Sequence, residues 1–279
     1  MFERFLGRLF PSTVLDSFER KTAAHKIKWK RGSFAVSISF DCEYRRDIDT
    51  LPSLLDILST HSFKTSFACI GKWVEEYPKQ HRMIIEEGHE VLNHTYSHPY
   101  NEELNPRKFA ELTNAEVEEE IKRCDEACRK VLGRGPIGFR TPHFGRQHTQ
   151  REYALLRNLG YVYSSSKIAT HVDSGAMPFI HDGIVELPVS PCPKHPWNTL
   201  DSYHSLQMGA HTKEGEFRSL FERLTEIISR NGGFVNIYVD PFHVVKNKDF
   251  IGILDHIESK KGEAWITSMA EIAKWYLGK

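Results

Sequence analysis

The chain has 279 residues, with 37 basic and 37 acidic side chains, 15 histidines and 40% apolar residues, so its formal charge is zero before any histidine titrates. A neutral balance lacks the long-range attraction that a phosphate backbone demands, which argues against a general nucleic-acid binder. No stretch approaches the roughly 20 apolar residues needed to span a bilayer, and Glu3, Arg4 and Arg8 break the start before a signal-peptide core develops. The five cysteines are odd in number and lack paired spacing, which fits reduced thiols and a cytoplasmic location.

Phe2, Phe5, Leu6, Leu9 and Phe10 share one helical face, and Pro11 is expected to end that run. Residues 1–30 read as a helical arm, 31–279 as one catalytic-sized domain. The apolar face of residues 2–10 suits packing on the body or a second subunit. With Arg4 and Arg8 it also suits a peripheral membrane contact.

From Ser33 the period changes. SFAVSISF alternates, with Phe34, Val36, Ile38 and Phe40 on one face, and it runs into the polar string DCEYRRD. Ile48, Leu51, Leu55 and Leu58 mark a helix, KTSFACI a strand, a mixed-charge segment to Gly88 another helix, and HEVLNH a strand. Thr113 and Glu116 have capping-box spacing before a helix carrying Val117, Ile121, Cys124 and Val131, with Gly133 as its stop. GFRT, YVYSSS, IVELPV, FVNIYVD and AWIT are the later strands. YALLRNLG, FRSLFERLTEIISR, DFIGILDHIES and SMAEIAKWYLG are the later helices, with Ser268 and Glu271 again at capping-box spacing. The Pro/His-rich stretch from Ser190 to His211 reads as a long loop, a kind that is usually functional or disordered.

Seven or eight strands alternating with helices, without a Gly-rich phosphate fingerprint, predict an α/β fold closed into an irregular (β/α) barrel; a doubly wound open sheet is the competitor. The barrel is favoured because DCE, NHTYSH, FRTPH, YSSS and VDPFH each follow a strand, and barrel active sites gather at strand ends.

His94 and His98, four apart, would share one face of a helical turn and grip one ion. Asp41 and Glu43, two apart on a continuing strand, point to the same face, with Cys42 turned away. Two imidazoles and one carboxylate leave open positions on an ion, and a second carboxylate is then free to accept a proton from water.

SFDCE, NHTYSH and FRTPH, in that order, resemble the polysaccharide deacetylases of the NodB-homology group, carbohydrate esterase family four. The resemblance implies an irregular (β/α) barrel and a divalent ion, usually zinc, that serves removal of an acyl group from a sugar nitrogen. It makes Asp41 the catalytic base, His94 and His98 metal ligands, and Arg140 the partner of the base. The family's usual second aspartate is Cys42 here, so Glu43 becomes the metal carboxylate, with Cys42 as a soft alternative. His143, or Phe144 if the match shifts by one, supplies a backbone N–H to the oxyanion. Ser164 stands in place of a frequent aspartate. In VDPFH, Asp240 occupies the position of the protonating histidine. His243 is the expected acid in its stead, Asp240 serves only with a raised pKa, and loss of the acid is a third reading. Tyr161, Trp197, Tyr203 and His204 are candidates to line a sugar cleft. The sequence thus predicts a zinc-dependent hydrolase for an N-acetylated carbohydrate, most simply an intracellular precursor. The alternatives are hydrolysis of another amide, such as a formylated sugar or cyclic ureide, and a non-catalytic carbohydrate-binding protein.

Overall fold

A computed structural model of the chain describes residues 10–145, 150–211 and 213–278. The apolar face expected over residues 2–9 lies outside the described residues. α1 (Pro11–Ala24) has proline in its first turn, where the missing N–H costs nothing. Leu15 and Phe18 are buried on its inner side, and Thr22 Oγ1 accepts the Ala176 N–H at 3.0 Å, so α1 docks on the main body.

β1 (Phe34–Cys42) is buried along its whole length. Its outward side chains, Phe34, Val36, Ile38, Phe40 and Cys42, join the largest apolar core with the surrounding helices. The alternate positions include Ser37, Ser39 and Asp41, which are also buried. A strand buried on both sides needs no solvent-facing row, and here the second row is polar because it lines the barrel interior.

α2 (Arg45–Ser59) follows and buries Ile48, Leu51, Leu54, Leu55 and Leu58, the expected stripe plus Leu54. Next come β2 (Ser66–Cys69), α3 (Gly71–Glu76), α4 (Pro78–Glu86) and β3 (Glu90–Asn93). α5 (Asn114–Leu132) is capped as expected: Glu116 Oε2 accepts the Thr113 N–H at 2.7 Å, and Gly133 closes the helix at φ 75°. β4 (Gly138–Phe139), α6 (Glu152–Asn158), β5 (Tyr163–Ser164), β6 (Phe179–His181) and β7 (Ile184–Glu186) lead to α7 (Glu216–Arg230). β8 (Phe234–Val239), α8 (Pro241–Val244), α9 (Lys248–Ser259), β9 (Ala264–Ile266) and α10 (Met269–Leu277) complete the described chain. The Ser268 side chain makes no cap hydrogen bond, so the second expected capping box is not formed.

Eight strands lie in the order β6-β7-β5-β4-β3-β2-β1-β8, with β9 added on β1. All pairs are parallel except the β6–β7 hairpin, which sequence reading omitted although Asp182-Gly183 is its turn signal. The sheet curls into the expected irregular (β/α) barrel. Its gap between β8 and the strand following β5 is bridged beyond β7: the Ser190 N–H donates to Asn236 O at 2.7 Å, and Asn236 Nδ2 donates to Leu187 O at 3.0 Å. β1 is central, flanked by β8 along residues 35–40, by β2 at its C-terminal end and by β9 at its N-terminal end. The parallel strands therefore deliver the residues after Phe40, Cys69, Asn93, Phe139, Ser164 and Val239 to one mouth. No helix among the described residues is long and apolar enough to cross a membrane.

Candidate active site

Asp41, at the end of β1, is buried and receives two contacts from Arg140 Nη1, at 3.1 Å and 3.3 Å. Arg140, from the segment after β4, is itself fully buried, with Nη2 donating to Ser39 Oγ at 3.0 Å and Ser165 Oγ at 3.2 Å. Its guanidinium also lies 5.2 Å from the Tyr238 ring centre. Burial pushes the Asp41 carboxyl up from the ordinary range, while Arg140 and His94 pull it back. That balance makes Asp41 a stronger proton acceptor than a solvent-exposed aspartate.

Glu43 stands beyond the strand, and its backbone is fixed on both sides. Its N–H donates to Asp47 Oδ2 at 3.2 Å, and its carbonyl accepts from Trp73 Nε1 at 3.0 Å and Asn101 Nδ2 at 2.9 Å. Its Oε1 lies 3.5 Å from His94 Nε2 and 3.3 Å from His98 Nε2. Cys42 is in the apolar core, so the soft alternative ligand does not face this group.

The two histidines are not on a helical turn. They sit in an irregular loop after β3 in which Thr95, His98 and Tyr100 all take positive φ, at 65°, 48° and 77°. Non-glycine residues adopt this backbone only where their surroundings hold it. Here Asn93 Oδ1 accepts the Thr95 N–H at 2.8 Å, and Thr95 Oγ1 accepts the His98 N–H at 3.1 Å. The folded loop brings the rings to 4.7 Å between centres.

His94 Nδ1 faces the Arg140 carbonyl at 3.0 Å, so it carries the proton and leaves the Nε2 lone pair directed at Glu43. Among the described residues, neither ring nitrogen of His98 has a hydrogen-bond partner, although both are buried. Acceptor atoms thus converge on acceptor atoms, and the donor atoms of Glu43, His94 and His98 all lie within 4.8 Å of one another. Such a set fits a divalent cation, which satisfies lone pairs that otherwise face each other.

Asp41 and Glu43 open on a cavity of about 600 Å³, with His94 and His98 behind Glu43. Asp41, Glu43, His143, Phe144, Tyr203, His204 and Asp240 line it. The His143 ring stacks edge-on with His98 at 4.9 Å, and Nε2 reaches the Pro99 carbonyl at 3.1 Å. Burial, then His98, pushes His143 down to about 4, so its ring is neutral. Phe144 stacks on Tyr238 at 5.3 Å.

The expected acid His243 is not among the lining residues. It sits on α8, behind Asp240, with Nδ1 at 3.7 Å from Asp240 Oδ2, because the short helix turns its side chain back toward the strand end. Asp240 faces the cavity instead. Burial raises its pKa well above the ordinary range, and the nearby carboxylates of Glu43, Asp47 and Asp41 add to that. Two aromatic candidates also lie elsewhere. Trp197 packs on His195 at 5.4 Å and does not line the cavity, and Tyr161 is a core residue whose hydroxyl accepts from Asn93 Nδ2 at 2.8 Å. Ser164 bonds Ser166 Oγ at 2.8 Å in the interior, away from the lining.

Sequence reasoning passed over Asp47, Ser202 and Asp201. Asp47 Oδ1 and Oδ2 together accept the N–H groups of Phe242, Glu43 and Tyr44, tying α8 to the end of β1. An acidic residue in the first turn of α2 was its only sequence signal. Asp201 is buried in the cavity wall, where burial pushes it up to about 6.

Comparison with known proteins agrees with the motif reading. Residues 29–164 match the polysaccharide deacetylase family model. A peptidoglycan-N-acetylglucosamine deacetylase from Bacillus cereus is 30% identical over 123 residues, 44% of this chain and 41% of that protein. This chain is thus similar to the polysaccharide deacetylase family over residues 29–164, just under half of its length. Its match spans less than half the length of that relative. Among solved structures, a Mycobacterium smegmatis protein assigned to the polysaccharide deacetylases aligns with a TM-score of 0.75 at 19% identity, over 91% of this chain and 93% of that one. PuuE allantoinase aligns at 0.72 with 11% identity, over 90% and 93%. At these identities the likeness is one of fold.

Proposed function

We propose that this protein is a metal-dependent hydrolase that removes an acetyl group from the nitrogen of an N-acetylated sugar or glycan precursor. The observation that carries the reading is the buried Asp41–Arg140 pair beside the convergent acceptors of Glu43, His94 and His98, at the head of one cavity.

Glu43, His94 and His98 would hold the ion, zinc in this reading. When bound, a divalent ion there supplies Lewis acidity toward the acyl oxygen and acidifies water. Asp41 takes the proton of the attacking water, and Arg140 keeps that carboxylate aimed into the cavity. The water oxygen bonds to the acyl carbon, the carbon–nitrogen bond breaks, and the electron pair stays with nitrogen. Asp240, held protonated by its surroundings, gives its proton to that nitrogen. The backbone N–H of His143, or of Phe144, serves the oxyanion in this reading. The products are a free amine and acetate.

Acetate release from N-acetylated chitooligosaccharides and from N-acetylglucosamine, followed with and without added zinc, tests the proposal. Release that depends on the ion and is lost in Asp41→Asn supports it. Turnover of formylated sugars or allantoin without acetate release would replace it with the other amide reading, and sugar binding without turnover of any of them with the binding-protein reading.

A further inference from the structure

A second group of donors lies in the Ser190–His211 stretch, outside the catalytic trio. Cys192 Sγ, His195, His204 and His211 place one ligand atom each within 4.8 Å of all the others. Cys192 Sγ is 3.3 Å from His211 Nε2, and His195 Nδ1 is 3.0 Å from His204 Nε2. Ions with bonds of about 2.0–2.1 Å to nitrogen and about 2.3 Å to sulfur set tetrahedral ligand edges of roughly 3.3–3.6 Å, within a few tenths of an ångström of these two contacts.

The loop is built to hold this arrangement. The Cys192 N–H donates to Asn198 O at 2.8 Å and the Asn198 N–H to His195 O at 2.8 Å, a tight turn that sets Cys192 and His195 together. The Asp201 carboxylate accepts the His204 N–H at 2.7 Å and starts the π-helical turn Tyr203–Gln207, which swings the His204 ring inward. Asn198 meets the far nitrogen of that ring, Nδ1, at 3.3 Å, leaving Nε2 toward the other ligands. The His195 and His211 rings stack at 5.3 Å, and both stand edge-on to His204.

Three clustered imidazoles with one thiol are a poor solution for a fold that has no ion to put among them. Among the described residues, His211 Nδ1 is buried without a hydrogen-bond partner.

We infer that Cys192, His195, His204 and His211 form a second, closed metal site of the zinc class, structural in role, that pins the loop forming one wall of the catalytic cavity. Sulfur with three imidazoles selects a borderline-soft transition ion over magnesium or calcium. Four protein ligands leave no open position for water, which separates this site from the catalytic one. Its effect on catalysis is through shape, since Asn198, Thr199, Asp201, Tyr203 and His204 of this loop line the cavity.

The test is metal counting on the full chain, purified in the presence of zinc and then dialysed. Wild type is expected to hold two equivalents, and His94→Ala/His98→Ala one. Loaded with cobalt, that double variant is expected to show a thiolate-to-cobalt charge-transfer band, which Cys192→Ser abolishes. The double variant keeps the native loop, so its metal content and its thiolate band decide the matter even where Cys192→Ser does not fold. A double variant with no bound metal, or with cobalt but no thiolate band, would overturn the inference. Neither result depends on the acetate assay, so this site and the proposed activity stand or fall separately.

Discussion

Ser202 and Asp240 exchange two hydrogen bonds: the Ser202 hydroxyl donates to Asp240 Oδ2 at 2.9 Å, and its oxygen accepts the Asp240 N–H at 2.7 Å. The bond to the carboxylate favours its charged form, opposing burial and the neighbouring acids. If Asp240 is the proton donor, Ser202→Ala raises its pKa and moves the alkaline limb of the kcat/KM profile to higher pH. The pH profile of acetate release checks the sign, and a downward or absent shift removes Asp240 from that role.

Asp240→Asn is expected to lower kcat by about 10²–10⁴ on N-acetyl sugars, the usual contribution of a positioned acid. The loss shrinks on substrates whose leaving group departs without a proton, such as aryl esters. His243→Gln, which touches Asp240 but not the cavity, is expected to stay within about threefold, well under the effect of a direct proton donor. Parallel kinetics on the two variants distinguish the acid from its neighbour.

Arg140→Met leaves Asp41 buried without its counter-charge. Breaking a buried pair from one side costs about 3–5 kcal/mol, so the variant is expected to unfold at markedly lower urea. Arg140→Lys restores the charge but not the fork that reaches Asp41, Ser39 and Ser165 together, and it recovers only part of the loss. Equilibrium denaturation of the three proteins gives the comparison.

Metal removal is expected to lower stability as well as activity. An ion at a hundred times its Kd stabilises the folded state by about 2.7 kcal/mol. Glu43→Ala is expected to lose the zinc-dependent Tm increase of the catalytic site. Cys42→Ala, a core truncation, retains that increase on a lower baseline. Thermal melts with zinc and with chelator read both effects.

His89 gives a pH dependence unconnected with the site. The Thr65 N–H donates to its Nδ1 at 3.1 Å, so protonation there sets donor against donor, and burial pushes the pKa from 6.5 to about 4. Between those values the unfolded chain binds the proton and the folded chain does not. Stability is therefore full above about pH 6.5 and falls as pH drops toward 4. His89→Gln flattens that slope, as urea midpoints across the window will show.

The parts of this fold that were legible in the sequence are those where one periodicity or one short string holds the information. SFAVSISF announced β1 through its alternate apolar residues, and Thr113 with Glu116 announced the start of α5. Asp41, Glu43, His94 and His98 were legible as chemistry, although the loop joining the histidines is left-handed at three residues and not a helical turn. Asp47 and Ser202 were not legible, because their importance lies in reaching backbone N–H groups of distant segments. The aromatic residues Trp197 and Tyr161 illustrate the same limit. Residue type suits both to a sugar ring, but only tertiary packing decides that one backs His195 and the other the Asn93 amide. Cys192 and its three histidines were not legible as one ligand set, because their irregular spacing matches no short ligand repeat, and the turn and π-helical turn that gather them have no periodic signature.

The central position of β1 has a consequence for synthesis on the ribosome. This strand emerges early, yet two of its three partners, β8 and β9, begin only at Phe234 and Ala264. For roughly two hundred residues of elongation, one long, sticky strand must wait with a bare edge, a state open to mispairing and to chaperone capture. Barrel completion, and with it the setting of Asp41 against Arg140, is thus deferred until β8 and β9 have been made, so nascent chains stalled before Phe234 will lack a native catalytic mouth.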